Sequence, residues 1–248
     1  MPRQARKKSE NGIYHVMLRG INQQQIFEDS EDYEKFLDIL KDCKAISEFK
    51  LFAYCLMGNH IHLLIKEDSE TLEQIFKRIC GRFVYWYNIK YRRVGHLFQD
   101  RFKSEPVDSE KYFFTVLRYI HQNPLKAGMC KQVEDYAYSS YSEYIGANDL
   151  VDTDYVLGLT TVEEFVGLNH ENVDTPCLDI SDKIIKRVTD EQARVLIKKL
   201  AKCDNVSDFQ NLDLVTRDKY LKKLRDKGVS IRQLSRLTGI SLSVVRKF

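Results

Sequence analysis

Leu51-Phe52-Ala53-Tyr54-Cys55-Leu56-Met57-Gly58-Asn59-His60-Ile61-His62-Leu63-Leu64-Ile65 consists of two apolar runs separated by a Gly-Asn pair. Such a pair between two β-prone runs predicts a two-residue hairpin turn, and so two antiparallel strands. Alternate side chains of a strand share a face, so His60 and His62 point the same way and Ile61 points to the other side. Two imidazoles about 7 Å apart along a strand are able to converge on one divalent ion. The same spacing also fits two histidines on a solvated sheet face, and the pair alone does not decide between these readings.

Outward from the hairpin, the periodicities alternate. Gly12–Leu18 is short, apolar and β-prone and predicts a first strand. Asp29 and Ser30 are helix-capping types, and Tyr33, Phe36, Leu37 and Leu40 follow at helical spacing. After the hairpin, Leu72, Ile75, Phe76, Ile79, Phe83 and Tyr87 mark one face of a long helix. Gly95–Val107 is expected to supply a fourth strand. Strand, helix, strand, strand, helix, strand is the split βαβ order of ferredoxin-like folds, an α+β class with an antiparallel sheet and packed helices. A further helix is expected from about Ser109 to Gln122, capped by Asp108 or Ser109, with Pro124 just past its end.

Composition narrows the function classes. The chain has 248 residues, 43 % hydrophobic and 30 % charged, which is the make-up of a globular protein. No apolar run approaches the roughly 18–20 residues that cross a bilayer. The basic start lacks a following apolar stretch and does not read as a secretory signal. Six scattered cysteines without a Cys-x-x-Cys pair argue against a zinc ribbon or a disulfide framework and for a reducing cytoplasm. The net charge of +3 is unevenly spread. Ile145–Asp182 holds nine acidic residues and no Lys or Arg, whereas Lys183–Phe248 holds 17 basic and 7 acidic residues. A basic terminal module is an electrostatic footprint for a polyanion. The expected organisation is a domain over 1–145, an acidic connector over 146–182, and a basic helical domain over 183–248.

The chemistry sharpens at Tyr119-Ile120-His121-Gln122-Asn123-Pro124. Tyr119 and Asn123 stand four apart and share a helix face. The Asn123 side-chain carbonyl suits a hard ion such as Mg²⁺ or Mn²⁺ as a third ligand. A residue before proline is disfavoured in the α region, which places Asn123 at a fraying helix end. His121, between the two positions, is expected to face solvent, with a proton shuttle as the alternative. His15 and His96 receive no role.

With these segments in order, the chain resembles the REP-associated tyrosine transposase branch of the single-tyrosine HUH (His-hydrophobic-His) transposases. The resemblance rests on His60-Ile61-His62, His15–Gly20, Gly95–Phe102, Tyr119 through Gly128, and Tyr138-Ser139-Ser140-Tyr141. It covers roughly residues 1–145. The family more often has Pro at the position of Gly58 and Trp at that of Tyr138, and neither departure touches the four residues of the chemistry. The resemblance implies single-stranded or hairpin DNA as substrate, His60, His62 and Asn123 as ligands of Mg²⁺ or Mn²⁺, and Tyr119 as the nucleophile that forms a 5′-phosphotyrosine. A second reading is a catalytically silent, sequence-specific DNA-binding regulator. A third, a replication initiator or relaxase, is disfavoured by the motif order.

Arg19, Arg101 and Lys103 lie near these motifs and are candidates for holding backbone phosphates. Arg3 and Arg6 belong to a basic start that reads either as a DNA-engaging arm or as a loose end. Near the C-terminus, Ser230 and Ser241 are capping types around Gly239, with Ile231, Leu234, Ile240 and Val245 as a small shared core. This predicts a helix-turn-helix at about 229–248, with a second helix near Leu242–Phe248 for a major groove of double-stranded DNA. Ser241, Ser243, Arg246 and Lys247 are its expected contact residues. Monomer and homodimer both remain open.

Overall fold

The computed structural model describes residues 6–146, 149–171, 177–178, 190–203 and 205–247. Four strands, β1 (Ile13–Arg19), β2 (Lys50–Met57), β3 (His60–Lys66) and β4 (Lys103–Pro106), form one sheet in the order β2-β3-β1-β4. Every pairing is antiparallel. Two helices, α1 (Ser30–Ser47) and α2 (Leu72–Lys90), fall where the apolar spacing puts them. This is the split βαβ arrangement, with α1 and α2 packed against one another. A third helix, α3 (Glu110–Lys126), packs against β2 and β3. His15, Met17, His60 and His62 share one face of the sheet by register. Val16, Leu18, Ile61 and Leu63 alternate onto the opposite face and are fully or almost fully buried.

Local signals account for the helix ends. Asp29 accepts from the Asp32 amide while the Asp32 carboxylate accepts from the Asp29 amide, a reciprocal capping box at the start of α1. Thr71 and Gln74 do the same for α2. The Gly58-Asn59 link joins β2 to β3, but neither residue has a positive φ. A neighbouring loop packs on this turn. The Gly58 carbonyl accepts from the Ile26 and Phe27 amides, and a Cβ at Gly58 would lie 2.3 Å from Gln25 Oε1.

Three expectations need correction here. The fourth strand is only Lys103–Pro106, and the preceding residues touch the sheet by a single bridge between Gly20 and Phe98. Helix α3 does not stop at Gln122. It runs through Pro124 to Lys126, because residues 119–124 are all buried and packing outweighs the local preference against helix before proline. Asn123 is therefore fully helical and not frayed. Thirdly, the acidic stretch 146–182, expected as a connector with room for one short helix, contributes two, α5 (Thr153–Leu157) and α6 (Val162–His170), which follow the short α4 (Tyr141–Ile145). Val156 and Phe165 are completely buried in the same core as the sheet. Acidic residues on the outer faces of short amphipathic helices hid that core.

The chain divides into two units, Met1–Asp179 and Ile180–Phe248. The second holds α7 (Asp190–Ala201), α8 (Val206–Gln210), α9 (Leu214–Asp226), α10 (Ile231–Thr238) and α11 (Leu242–Val245) around its own core, which includes Phe209, Leu221, Leu224, Leu234 and Val245. Among the described residues, no helix is long and apolar enough to cross a membrane.

Candidate active site

The site lies where α3 covers the face of the sheet that carries the histidines. His62 is fully buried, and its ring lies 5.1 Å from that of His60 at 85°. Strand periodicity places the two on one face, as the sequence implies. Tyr119 meets them from α3, its ring 5.7 Å from His62 and edge-on at 79°. Asn123, one helical turn on, is buried on the same helix face, and its Nδ2 has no hydrogen-bond partner. The Lys126 ammonium stands 5.0 Å over the Tyr119 ring. His60, His62 and Tyr119 thus follow one another in ring contact within one chain, with Asn123 one turn further along α3.

Burial shapes the electrostatics. It holds the His62 pKa well below the usual imidazole range, helped by repulsion from His15 and His60, so the ring is neutral at physiological pH. His62 Nε2 is buried and makes no hydrogen bond. An orphaned, neutral imidazole nitrogen near a second imidazole, with a buried carboxamide on the covering helix, fits the chemistry of a divalent cation's donors. Among the described residues, no group of three His, Cys, Asp or Glu forms such a site.

Two site residues escaped the sequence reading. His15 is fully buried beside His62, with Nε2 2.9 Å from His62 Nδ1. Its Nδ1–H donates to Glu105 Oε1 at 3.1 Å. Glu105 also accepts from the Tyr112 hydroxyl at 2.8 Å and from the Leu178 amide at 2.8 Å. Burial alone would raise this carboxyl, but those hydrogen bonds outweigh it and hold its pKa below the ordinary value. The signal that could have found the pair is strand register: His15 stands directly opposite Glu105 and one step diagonally from His62.

His121 does not face solvent. It is fully buried on the opposite side of α3, with Nδ1 3.0 Å from Asn169 Oδ1 and Nε2 2.9 Å from Ser140 Oγ. Burial lowers its pKa to about 4. It fastens α3 to α6 and to the Tyr138–Tyr141 segment and takes no part in the site.

The predicted phosphate contacts divide. Arg19 pairs with His60 across β1 and β3 and borders the site. Lys103, paired with Met17 on β4, is exposed. Arg6 is folded onto the body: its guanidinium lies 3.7 Å over the Phe102 ring, pairs with Glu73 and donates to the Phe102 carbonyl. Arg6 and Arg101 both line a groove of about 730 Å³ with Phe76, Phe98 and Phe102. Arg3 lies outside the described residues. His96 is exposed on the same groove and makes no contact that assigns it a role.

In the second unit, Ser230 and Gln233 form a capping box at α10, and Gly239 ends that helix at φ 69°. Ser241 precedes α11 but does not cap it with its side chain; its Oγ lies 3.0 Å from Ser243 Oγ. The described part of the second helix is the four residues Leu242–Val245, shorter than expected. Ser241, Ser243, Arg246 and Lys247 are all exposed.

Comparison with known proteins adds an independent line. Residues 8–123 match the model of the IS200-like transposase family. A Haemophilus influenzae protein provisionally named as a REP-associated tyrosine transposase is 31 % identical over 111 residues, which cover 40 % of this chain and 62 % of that protein. The chain thus spans less than two thirds of that relative's length. The Escherichia coli K12 REP-associated tyrosine transposase is 22 % identical over 136 residues, 54 % of this chain and 78 % of its own. A solved REP-associated tyrosine transposase bound to a REP hairpin superimposes with a TM-score of 0.53 at 17 % identity, covering 72 % of this chain and all of its own, and so shares the fold.

Proposed function

From the match of residues 8–123 to the IS200-like transposase model, we propose that the chain is a metal-dependent single-stranded-DNA endonuclease and strand transferase. The observation that carries the reading is the edge-on approach of Tyr119 to His62 inside one chain. A free phenol has a pKa near 10 and is a weak nucleophile at neutral pH, and phosphodiesters repel nucleophiles. His60, His62 and Asn123 would hold Mg²⁺ or Mn²⁺; when bound, the ion polarises the scissile phosphate and stabilises its developing charge. Tyr119 Oη forms the new bond to phosphorus and loses its proton, which is balanced by the one taken up at the leaving oxygen. The bond from phosphorus to O3′ breaks, and O3′ leaves as a hydroxyl after taking up a proton. The DNA remains as a 5′-phosphotyrosine, from which another 3′-hydroxyl can displace Tyr119 and rejoin strands without a nucleotide cofactor.

The substrate follows from the relatives. One solved relative carries a REP hairpin, and hairpin or repeat DNA is the substrate class proposed here, in transposition or in a host-serving derivative of it. Arg19, Arg101 and Lys103 would hold backbone phosphates, with Arg6 joining them at the groove it shares with Arg101. The exposed Ser241, Ser243, Arg246 and Lys247 would contact double-stranded DNA as a helix-turn-helix and direct the nuclease. The approach of Tyr119 to His62 inside one chain favours catalysis without exchange of helices between protomers. The expected location is the cytoplasm, with its DNA.

The test is incubation of 3′-labelled hairpin single strands of the host's repeats with the protein and Mg²⁺ or Mn²⁺, resolved on denaturing gels. A covalent adduct that disappears in Tyr119→Phe and on chelation supports the reading. Tight hairpin binding with no adduct, from protein that binds Mn²⁺, would move the chain to the class of silent DNA-binding regulators.

A further inference from the structure

We propose that Glu105 and His15 act as positioning residues that fix the tautomer of His62, leaving its buried Nε2 bare. The consequence for metal affinity rests on the reading of His62 as a ligand; the tautomer itself does not. The direction of the hydrogen bonds supplies the argument. Glu105 is an ionised carboxylate and can only accept, so the His15 nitrogen 3.1 Å away must be Nδ1–H. A neutral His15 then offers a lone pair at Nε2. His62 Nδ1, 2.9 Å from that lone pair, must be the donor. The single proton of a neutral His62 is thereby assigned to Nδ1, and Nε2 carries a lone pair.

The alternative direction meets a physical objection. A protonated His15 would donate to His62 Nδ1 and force the proton of His62 onto Nε2. That atom is buried with no hydrogen-bond partner, so the reversed chain would create an orphaned buried N–H. A bare lone pair in the same place costs less and is the state a cation needs. His60 reaches the same tautomer by another route. Its Nδ1–H donates to Asn59 Oδ1 at 2.7 Å, and the Asn59 amide is oriented by donating Nδ2–H to the Gln23 carbonyl. Two unrelated acceptors thus put both imidazoles in the Nδ1–H form. Outer partners of this kind typically change metal affinity ten- to a hundred-fold.

The test uses the full chain, metal-free, labelled with ¹⁵N-histidine, and reads tautomers from long-range ¹H–¹⁵N correlations. The wild-type His62 is expected to show a protonated Nδ1 and a bare Nε2; a protonated Nε2 overturns the proposal without any variant having to fold. His15→Phe, which keeps volume and removes the acceptor, is expected to lose that pattern and to bind Mn²⁺ ten- to a hundred-fold more weakly. Glu105→Gln, the milder change, is expected to weaken Mn²⁺ binding less. Equal Mn²⁺ affinity of wild type and folded His15→Phe overturns the positioning role. Failure of the wild type to bind Mn²⁺, with the predicted tautomer present, supports the tautomer lock and counts against the metal reading alone.

Discussion

His62 and His121 are both fully buried histidines with lowered pKa values, yet they do opposite work. One keeps an orphaned nitrogen; the other has both nitrogens engaged, by Asn169 and Ser140. The difference was only half legible in the sequence. Alternation along a strand puts His60 and His62 together, and helical spacing puts Tyr119 with Asn123. His121 was misread because helical spacing gives the relative faces of residues but not what packs on each face, and α6 comes from a segment that looked like a connector. His15 and Glu105 were missed because their pairing depends on the register between strands some 90 residues apart in sequence.

The His121 assignment makes a prediction. Its folded-state pKa of about 4 lies below the ordinary value of 6.5. The unfolded chain therefore binds more protons between those values, and stability falls as pH drops from about 6.5 toward 4. The shift corresponds to stabilisation on the order of 3 kcal/mol at neutral pH, lost under acid, and His62 acts in the same direction. In urea melts, His121→Ala is expected to cost about 2 kcal/mol or more at pH 7.5 and to flatten the acid dependence. An unchanged acid profile in the variant would contradict the assignment.

At the level of elements, the hairpin and α3 position the site, and their locations were readable. The end of α3 was not, because proline's local preference is a weaker term than the burial of six consecutive residues. The loop from Gly20 to Gln25 closes the site end of the sheet, and glycine is needed there for space. A Cβ at Gly20 would lie 2.3 Å from the Gln24 carbonyl oxygen and 2.9 Å from Ile26 Cγ2, so backbone must move. At Gly58 the added Cβ would meet only the end of the Gln25 side chain, at 2.3 Å, which can swing away. Gly20→Ala is therefore expected to cost about 1–3 kcal/mol and Gly58→Ala well under 1 kcal/mol in thermal or urea melts. Equal effects would show that the loop does not pack as described.

For the whole molecule, the uneven charge and the separate cores say the same thing. The sequence marked the basic tail by composition, and the structure gives that tail its own apolar core around Phe209 and Leu234. Phe209→Ala, a fully buried position, is expected to cost about 3–5 kcal/mol, melting the second unit while the first keeps its transition in calorimetry. Loss of both transitions together would contradict two independent units. If Arg246 and Lys247 contact duplex phosphates, replacing both by Ala lowers the slope of log affinity against log salt by about 0.9 per cation. An unchanged slope would remove them from the interface.

If Tyr119, brought beside His62 within one chain, is the nucleophile, it becomes covalently joined to DNA. Digestion of the protein after reaction with hairpin single strands and Mn²⁺, followed by tandem mass spectrometry, locates the bond directly. One modified peptide is expected, carrying a 5′-phosphonucleotide on Tyr119. The modification on any other of the chain's 14 tyrosines, or none from protein shown to bind both Mn²⁺ and hairpin DNA, would contradict it.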